Sequence, residues 1–159
     1  MPQITRLNHA VLYVSDLDRS AAFYTQAFGM EEIAREGGTM AFFRAAGSTN
    51  HHDLALASVG ADAPRPPQGS VGLYHLAWEV ATIEELAEAT TVLANLGALT
   101  GMSDHGATKS LYGRDPDGIE FEVMWMVPRD QWGPHDRKAI VAPLDIKREL
   151  ARFGGRRSA

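Results

Sequence analysis

Three histidines and a carboxylate, side chains able to hold a divalent metal or move a proton, recur at related places in a chain that repeats itself. His9 lies in Leu7-Asn8-His9-Ala10-Val11-Leu12-Tyr13-Val14, and His75 lies in Leu73-Tyr74-His75-Leu76-Ala77-Trp78-Glu79-Val80. Each run reads as a strand that passes into a helix, the first ending near Phe28-Gly29 and the second near Leu96-Gly97. In the same register the strand of Phe42-Phe43 matches that of Leu111-Tyr112, and the strand starting at His52 matches the one carrying Glu122. The spacing therefore predicts a duplicated βαβββ unit with His9, His52, His75 and Glu122 at repeat-related positions, the raw material of a metal site. A lone His9 in an apolar strand would more often be a satisfied core or surface histidine. The repeat reverses that reading, because burying two imidazoles and a carboxylate together is costly without a cation.

The elements that must position these residues follow from pattern and punctuation. Strands are expected over about 4–14, 31–36, 39–45 and 52–59, then 72–80, 99–104, 108–114 and 119–126. The first helix, about 18–28, has Asp16 or Asp18 available as N-cap and apolar spacing through Ala22, Phe23, Ala27 and Phe28. The second, about 82–96, opens Thr82-Ile83-Glu84-Glu85, a capping box. Prolines in Gly60 to Gly69 cannot join a central ladder, so that segment is a loop between the copies. Alternation puts Leu7, His9, Val11 and Tyr13 on one face and Leu73, His75, Ala77 and Glu79 on one face. Glu122 shares its side with Glu120 and Met124, while Phe121, Val123 and Trp125 turn to an apolar core. Asp115-Pro116-Asp117-Gly118 is a turn, and Glu120 a strand-end charge.

The expected class is α+β: two tandem βαβββ modules forming a curled mixed sheet around a metal cup. Residues 1–127 are expected to be one domain, with modules of about 4–60 and 71–127. A C-terminal extension, 128–159, follows, in which Pro143 to Phe153 could form a helix with Leu144, Lys147, Leu150 and Ala151 on one face. With 159 residues and 45% apolar content, the chain can bury a sizeable core. There is no cysteine, which excludes disulfides, zinc-thiolate sites and thiol nucleophiles. No apolar run approaches the ~20 residues of a membrane span and no secretory segment opens the chain, so a cytoplasmic protein without a membrane partner is expected. The net charge of −5 is uneven: residues 1–127 carry sixteen acidic and seven basic side chains, and 128–159 carry four and eight. An acidic main domain is a poor surface for phosphate backbones, so nucleic acid is not an expected partner.

The layout resembles the vicinal oxygen chelate superfamily (glyoxalase, bleomycin resistance, extradiol dioxygenase) over roughly residues 4–126. Arg114 to Glu122 looks like that superfamily's last turn and strand, with the ligand glutamate four residues past Gly118. The resemblance implies His9, His75 and Glu122 as a 2-His-1-carboxylate ligand set with open coordination positions. Within the superfamily, Asn50-His51-His52-Asp53-Leu54-Ala55-Leu56 resembles the histidine-bearing strand of type I extradiol catechol dioxygenases. Tyr112, ten residues before Glu122, matches their active-site tyrosine, and His105-Gly106 their upstream pair. The implied catalytic set is His52, Tyr112 and His105. The implied activity is ring cleavage of a catechol-type aromatic by O2 at Fe(II), or Mn(II), with His52 as acid and base and Tyr112 bonding a substrate hydroxyl. His52 as a fourth ligand, with Ni(II), Zn(II) or Co(II), would instead imply a glyoxalase-like isomerase or epimerase. A drug-sequestering binder is the third class, and such binders generally lack the ligands kept here. The loop from His52 to His75 is longer than usual for the dioxygenases, and His105 lies two residues closer to Tyr112. A homodimer or larger assembly is expected, with the Trp132 to Phe153 extension at a contact.

Overall fold

A computed structural model describes residues 1–67, 69–138 and 140–157. The chain divides into two compact units, Met1–Ser70 and Val71–Ala159. In the first, β1 (Ala10–Val14), helix α1 (Leu17–Phe28), β2 (Glu31–Glu36), β3 (Met40–Arg44) and β4 (Leu54–Ser58) follow in order. They form a four-stranded open sheet ordered β1-β4-β3-β2, with β1 parallel to β4 and the other pairs antiparallel. The second unit repeats the plan with β5 (Leu76–Glu79), helix α2 (Ile83–Asn95), β6 (Leu99–Asp104), β7 (Thr108–Arg114) and β8 (Glu120–Met126). Its sheet runs β5-β8-β7-β6, again with the first and last strands of the module parallel. Both modules carry a bulge at the matching place, between Glu32 and Ala34 and between Leu99 and Gly101. The α+β class and the duplicated βαβββ plan are therefore as the sequence predicts.

Asp16 caps α1 by accepting from the Arg19 N–H, and Gly29 closes it in the left-handed region at φ 62°. The buried stripe is Leu17, Ser20, Ala21, Phe23 and Tyr24, so the predicted stripe is shifted: Ala22 is exposed. Thr82 and Glu85 complete the predicted capping box on α2, which buries Ile83, Leu86 and Leu93. Alternation is strict in β8, where Phe121, Val123 and Trp125 are buried and Glu120, Glu122, Met124 and Met126 are half-buried. In β1, Leu12 and Val14 enter the core while Val11 and Tyr13 stay exposed. Each fully buried side chain such as Phe43, Leu54 or Leu111 contributes about 1.5–3 kcal/mol of transfer free energy.

Three strands begin later than the sequence suggests. β1 starts at Ala10, β4 at Leu54 and β5 at Leu76, so His9, His52 and His75 stand just ahead of their strands rather than inside them. The extension belongs to the second unit. Two 3-10 turns, Arg129–Gln131 and Gly133–Asp136, lead to a two-residue strand β9 (Ala142–Pro143) that pairs with Ser103 and Asp104 of β6. Helix α3 starts at Ile146 rather than near Pro143, because Asp145 caps it by accepting from the Arg148 N–H. Its buried residues are Glu149 and Phe153, one turn apart, whereas Lys147 and Ala151 of the predicted face are exposed. Among the described residues no helix is long and apolar enough to cross a membrane.

Candidate active site

The strand registers define which positions the repeat equates. Leu76 pairs with Phe121 and Ala77 with Glu122, while Ala10 pairs with Leu54 and Val11 with Ala55. With His9 matched to His75, the counterpart of Glu122 is Ala55, and the residue matched to Tyr112 is Phe42, since each pairs across to that position. The residue-level match of His52 to Glu122 is thus corrected: His52 precedes Ala55 by three residues, in the turn ahead of β4.

In the second unit, Glu122 lies on β8 between its neighbours Ala77 on β5 and Tyr112 on β7. The Nε2 of His75 stands 3.1 Å from Oε2 of Glu122, with side chains 23% and 13% exposed. The Tyr74 ring tilts against His75, and the Tyr112 ring lies 5.9 Å from it. The Tyr112 hydroxyl is 2.8 Å from Nε2 of His105, whose Nδ1 is 2.9 Å from the carbonyl of Ile140. Burial, and then the negative charge of Glu122, raise the Tyr112 phenol above the usual tyrosine range. His105 sits in the turn between β6 and β7, whose Gly106 needs its φ of 81° and whose Asp104 carboxylate accepts the Gly106 N–H.

In the first unit, His9 and His52 bring their ring centroids to 4.4 Å, and the Phe42 ring meets His52 edge-on at 5.4 Å. The Nδ1 of His9 is 2.9 Å from the Asn8 amide oxygen. An amide oxygen only accepts, so with the amide in this orientation Nδ1 carries the proton and Nε2 keeps a free lone pair. Asp53 organises the turn that carries His51 and His52, accepting from the Ala45 N–H, the Ser48 hydroxyl and the Asn50 amide. Burial opposes ionisation of Asp53, but these donors outweigh it and hold its carboxyl below the usual range. Burial, then the neighbouring His9 and His51, lower the affinity of His52 for a proton.

In the second unit the His75–Glu122 pair has the spacing of two donors to one divalent cation. Two donors each about 2.1 Å from one ion and at right angles lie about 3.0 Å apart, close to the His75–Glu122 separation. The other ring nitrogen of His75, Nδ1, is buried without a hydrogen-bond partner in the protein. Among the described residues no group of three or more His, Asp or Glu side chains gathers within reach of one metal ion. Four contributors were not singled out from sequence. Asn8 and Asp53 adjoin the histidines and could have been flagged as polar residues beside strand starts. Ala55 needed the register, and nothing in the sequence marks the Ile140 carbonyl.

The Glyoxalase/Bleomycin resistance protein/Dioxygenase superfamily matches residues 6–123, and the chain belongs to that superfamily. It is 31% identical over 158 residues to a catechol-2,3-dioxygenase of Bacillus subtilis (strain 168), covering 96% of this chain and 54% of that one. It is 26% identical over 141 residues to a manganese-dependent 2,3-dihydroxybiphenyl 1,2-dioxygenase of Geobacillus genomosp. 3, covering 86% and 41%. A metallothiol transferase, FosB, of Lysinibacillus sphaericus (strain C3-41) is 32% identical, covering 75% of this chain and 81% of that one. Among solved structures, a glyoxylase/bleomycin resistance protein/dioxygenase domain from Frankia sp. EAN1pec superposes with a TM-score of 0.66 at 26% identity, covering 79% of this chain and all of that one. The chain spans about half or less of the length of these two dioxygenases. The three curated relatives named here are enzymes by name, one of them manganese-dependent and one a metallothiol transferase.

Proposed function

We propose that this chain forms the ring-cleaving centre of an extradiol dioxygenase acting on a catechol-type aromatic with O2, with His9, His75 and Glu122 holding Fe(II) or, alternatively, Mn(II). The observation that carries the reading is Ala55 at the position the repeat equates with Glu122. The fold provides four equivalent places for ligands, and here a methyl group occupies one. Three ligands leave room for the two oxygens of a chelating diol and for O2, whereas a glyoxalase-like centre uses a fourth. When bound, the metal supplies open positions and an electron path between diol and O2.

The remaining work falls to the protein. Asn8 holds the His9 ring so that Nε2 faces away from its bonded side. Glu122 sits on β8, an inner strand flanked by β5 and β7, which fixes its carboxylate more firmly than a loop would. His52, off the ligand position and carried on the Asp53-braced turn, is free to take a proton from the substrate and return it as the ring opens. Tyr112, on the strand beside Glu122, meets a hydroxyl of the diol.

The test is anaerobic purification, metal analysis and an O2-uptake assay with several 3- and 4-substituted catechols. Iron or manganese near one per chain, O2 consumption and the yellow ring-fission product are expected. Metal-loaded protein that gives neither uptake nor colour would refute ring cleavage. A second reading, group transfer like that of the metallothiol transferase, is supported by the 32% identity to that relative over 75% of this chain. It predicts metal without O2 uptake.

A further inference from the structure

We propose that the C-terminal extension is a working part of the site: its Ile140 carbonyl sets the tautomer of His105, and His105 in turn sets the direction of the Tyr112 hydroxyl. A carbonyl can only accept, so the 2.9 Å contact requires a proton on Nδ1 of His105. In the neutral ring Nε2 is then an acceptor, and the hydroxyl of Tyr112, 2.8 Å away, donates to it. Glu122, a charged group beside Tyr112, is also an acceptor, while the Ser110 hydroxyl is a donor to the phenol oxygen. His105 and Glu122 therefore call on the single phenol proton, and Ser110 fills one lone pair of the oxygen. The oxygen of Tyr112 is left with one lone pair for a ligand, so it receives a hydrogen bond from a ligand O–H rather than giving one. The favoured ligand presents a protonated hydroxyl to Tyr112, as a diol does when it binds having lost one of its two protons. The ligand half of this inference rests on the catechol reading above.

The opposite tautomer would set the Nδ1 lone pair against the Ile140 oxygen, a clash of acceptors in a half-buried place. The extension is held so that Ile140 cannot easily withdraw. β9 pairs with Ser103 and Asp104 immediately before His105. The His135 ring packs so closely on Gly106 that a Cβ there would collide with it. Arg148 and Glu149 of α3 ion-pair with the Asp104 and Lys109 side chains on either side of the turn. His105 is thus a positioning residue, acting through Tyr112.

The experiment uses the full chain labelled with 15N-histidine. Long-range proton–nitrogen correlation at a pH where His105 is neutral should show Nδ1 protonated and Nε2 bare. Replacing Val141 by its α-hydroxy acid turns the Ile140 carbonyl into an ester, a weaker acceptor, and should move the tautomer ratio roughly two- to tenfold toward Nε2–H. In metal-loaded, oxygen-free protein, 4-nitrocatechol binding read by absorbance should weaken roughly tenfold in His105→Phe at unchanged metal content. His105→Gln, whose amide can both donate to Ile140 and accept from Tyr112, should recover most of that loss. An Nε2–H tautomer in the parent, or an ester variant with an unchanged spectrum, overturns the proposal. An Nδ1–H tautomer in a parent that binds no 4-nitrocatechol overturns the catechol reading and the ligand half with it, while the positioning of Tyr112 by the extension stands.

Discussion

Replacing Lys109 by Met should destabilise the second unit by about 3 kcal/mol, because it breaks a buried charge cluster from its centre. Lys109 is 3% exposed and places its ammonium 2.5 Å from Oδ1 of Asp104, 3.3 Å from the Gly106 carbonyl and 3.7 Å from Oε2 of Glu149. Glu149 is 1% exposed, and its Oε2 has no hydrogen-bond donor, so the Lys109 charge is the main compensation for that oxygen. Methionine keeps most of the stem's volume and removes the charge. Breaking a buried pair by deleting one partner costs about 3–5 kcal/mol. The lower end applies here because Arg148 still reaches both carboxylates, at 2.8 Å from Glu149 and 3.4 Å from Asp104. Its side chain is 59% exposed, so water screens that help and it cannot replace the lysine.

All three tryptophans, Trp78, Trp125 and Trp132, lie in the second unit, so fluorescence-monitored urea unfolding reads that unit selectively. For a unit of 89 residues, Val71 to Ala159, a loss of about 3 kcal/mol corresponds to a fall in Tm of roughly 12–24 °C. Adding Glu149→Gln to Lys109→Met should return part of the loss, since an amide does not need the missing cation. A Lys109→Met protein within about 1 kcal/mol of the parent would refute the idea that the cluster braces the extension.

The same cluster predicts a pH dependence. Burial opposes the Asp104 charge, but the Lys109 ammonium, the Gly106 N–H and Arg148 outweigh it and hold its pKa below the ordinary carboxylate value. Its contribution is therefore fully present above about pH 4 and lost as the pH falls through the lower folded value, and Asp104→Asn should flatten that part of the acid-unfolding curve. His75→Ala should lose the metal, and near-stoichiometric metal in that preparation would defeat the ligand assignment. His52→Ala should keep its metal yet slow ring cleavage roughly 10²–10⁴-fold, as for a positioned acid–base group; loss of metal instead would make His52 a ligand. Light scattering should give a dimer or larger mass, and a monomer at working concentration would count against the extension as a subunit contact.

The fold was legible because its signals are local. The capping box at Thr82 and Glu85, Gly29 after α1 and the alternation of β8 each act within one or two turns or a single strand, and all stand as read. What the sequence misplaced depends on chain ends that pattern does not mark. Apolar residues continue upstream of β1 and β5, through Leu7 and Leu73, so periodicity extends both strands past the histidines. The ladders begin only at Ala10 and Leu76, where a parallel neighbour is available to pair. That shift matters chemically: a histidine just ahead of a ladder has its backbone free of pairing, and its ring is aimed by a side-chain bond such as Asn8 to His9.

For the candidate site, residue types were legible and residue relations were not. Counting along the repeat made His52 the partner of Glu122, because the loop from β3 to β4 and the turn from β7 to β8 differ in length and no count can absorb that difference. Hydrogen-bonded register does absorb it, and it replaces His52 by Ala55. The correction bears on the proposed chemistry, in which Ala55 takes the repeat position of Glu122 and His52 is assigned the acid–base role. The extension was opaque for another reason. Its helix was read as a face of Leu144, Lys147, Leu150 and Ala151, yet what α3 buries is Glu149, a residue type that pattern assigns to solvent. A charged side chain becomes a core residue only when its counter-charge is buried with it, and Lys109 lies forty positions upstream on another strand. The pairing that anchors the extension, and with it the Ile140 carbonyl against His105, is thus a tertiary fact, invisible to any window short enough to show a helix.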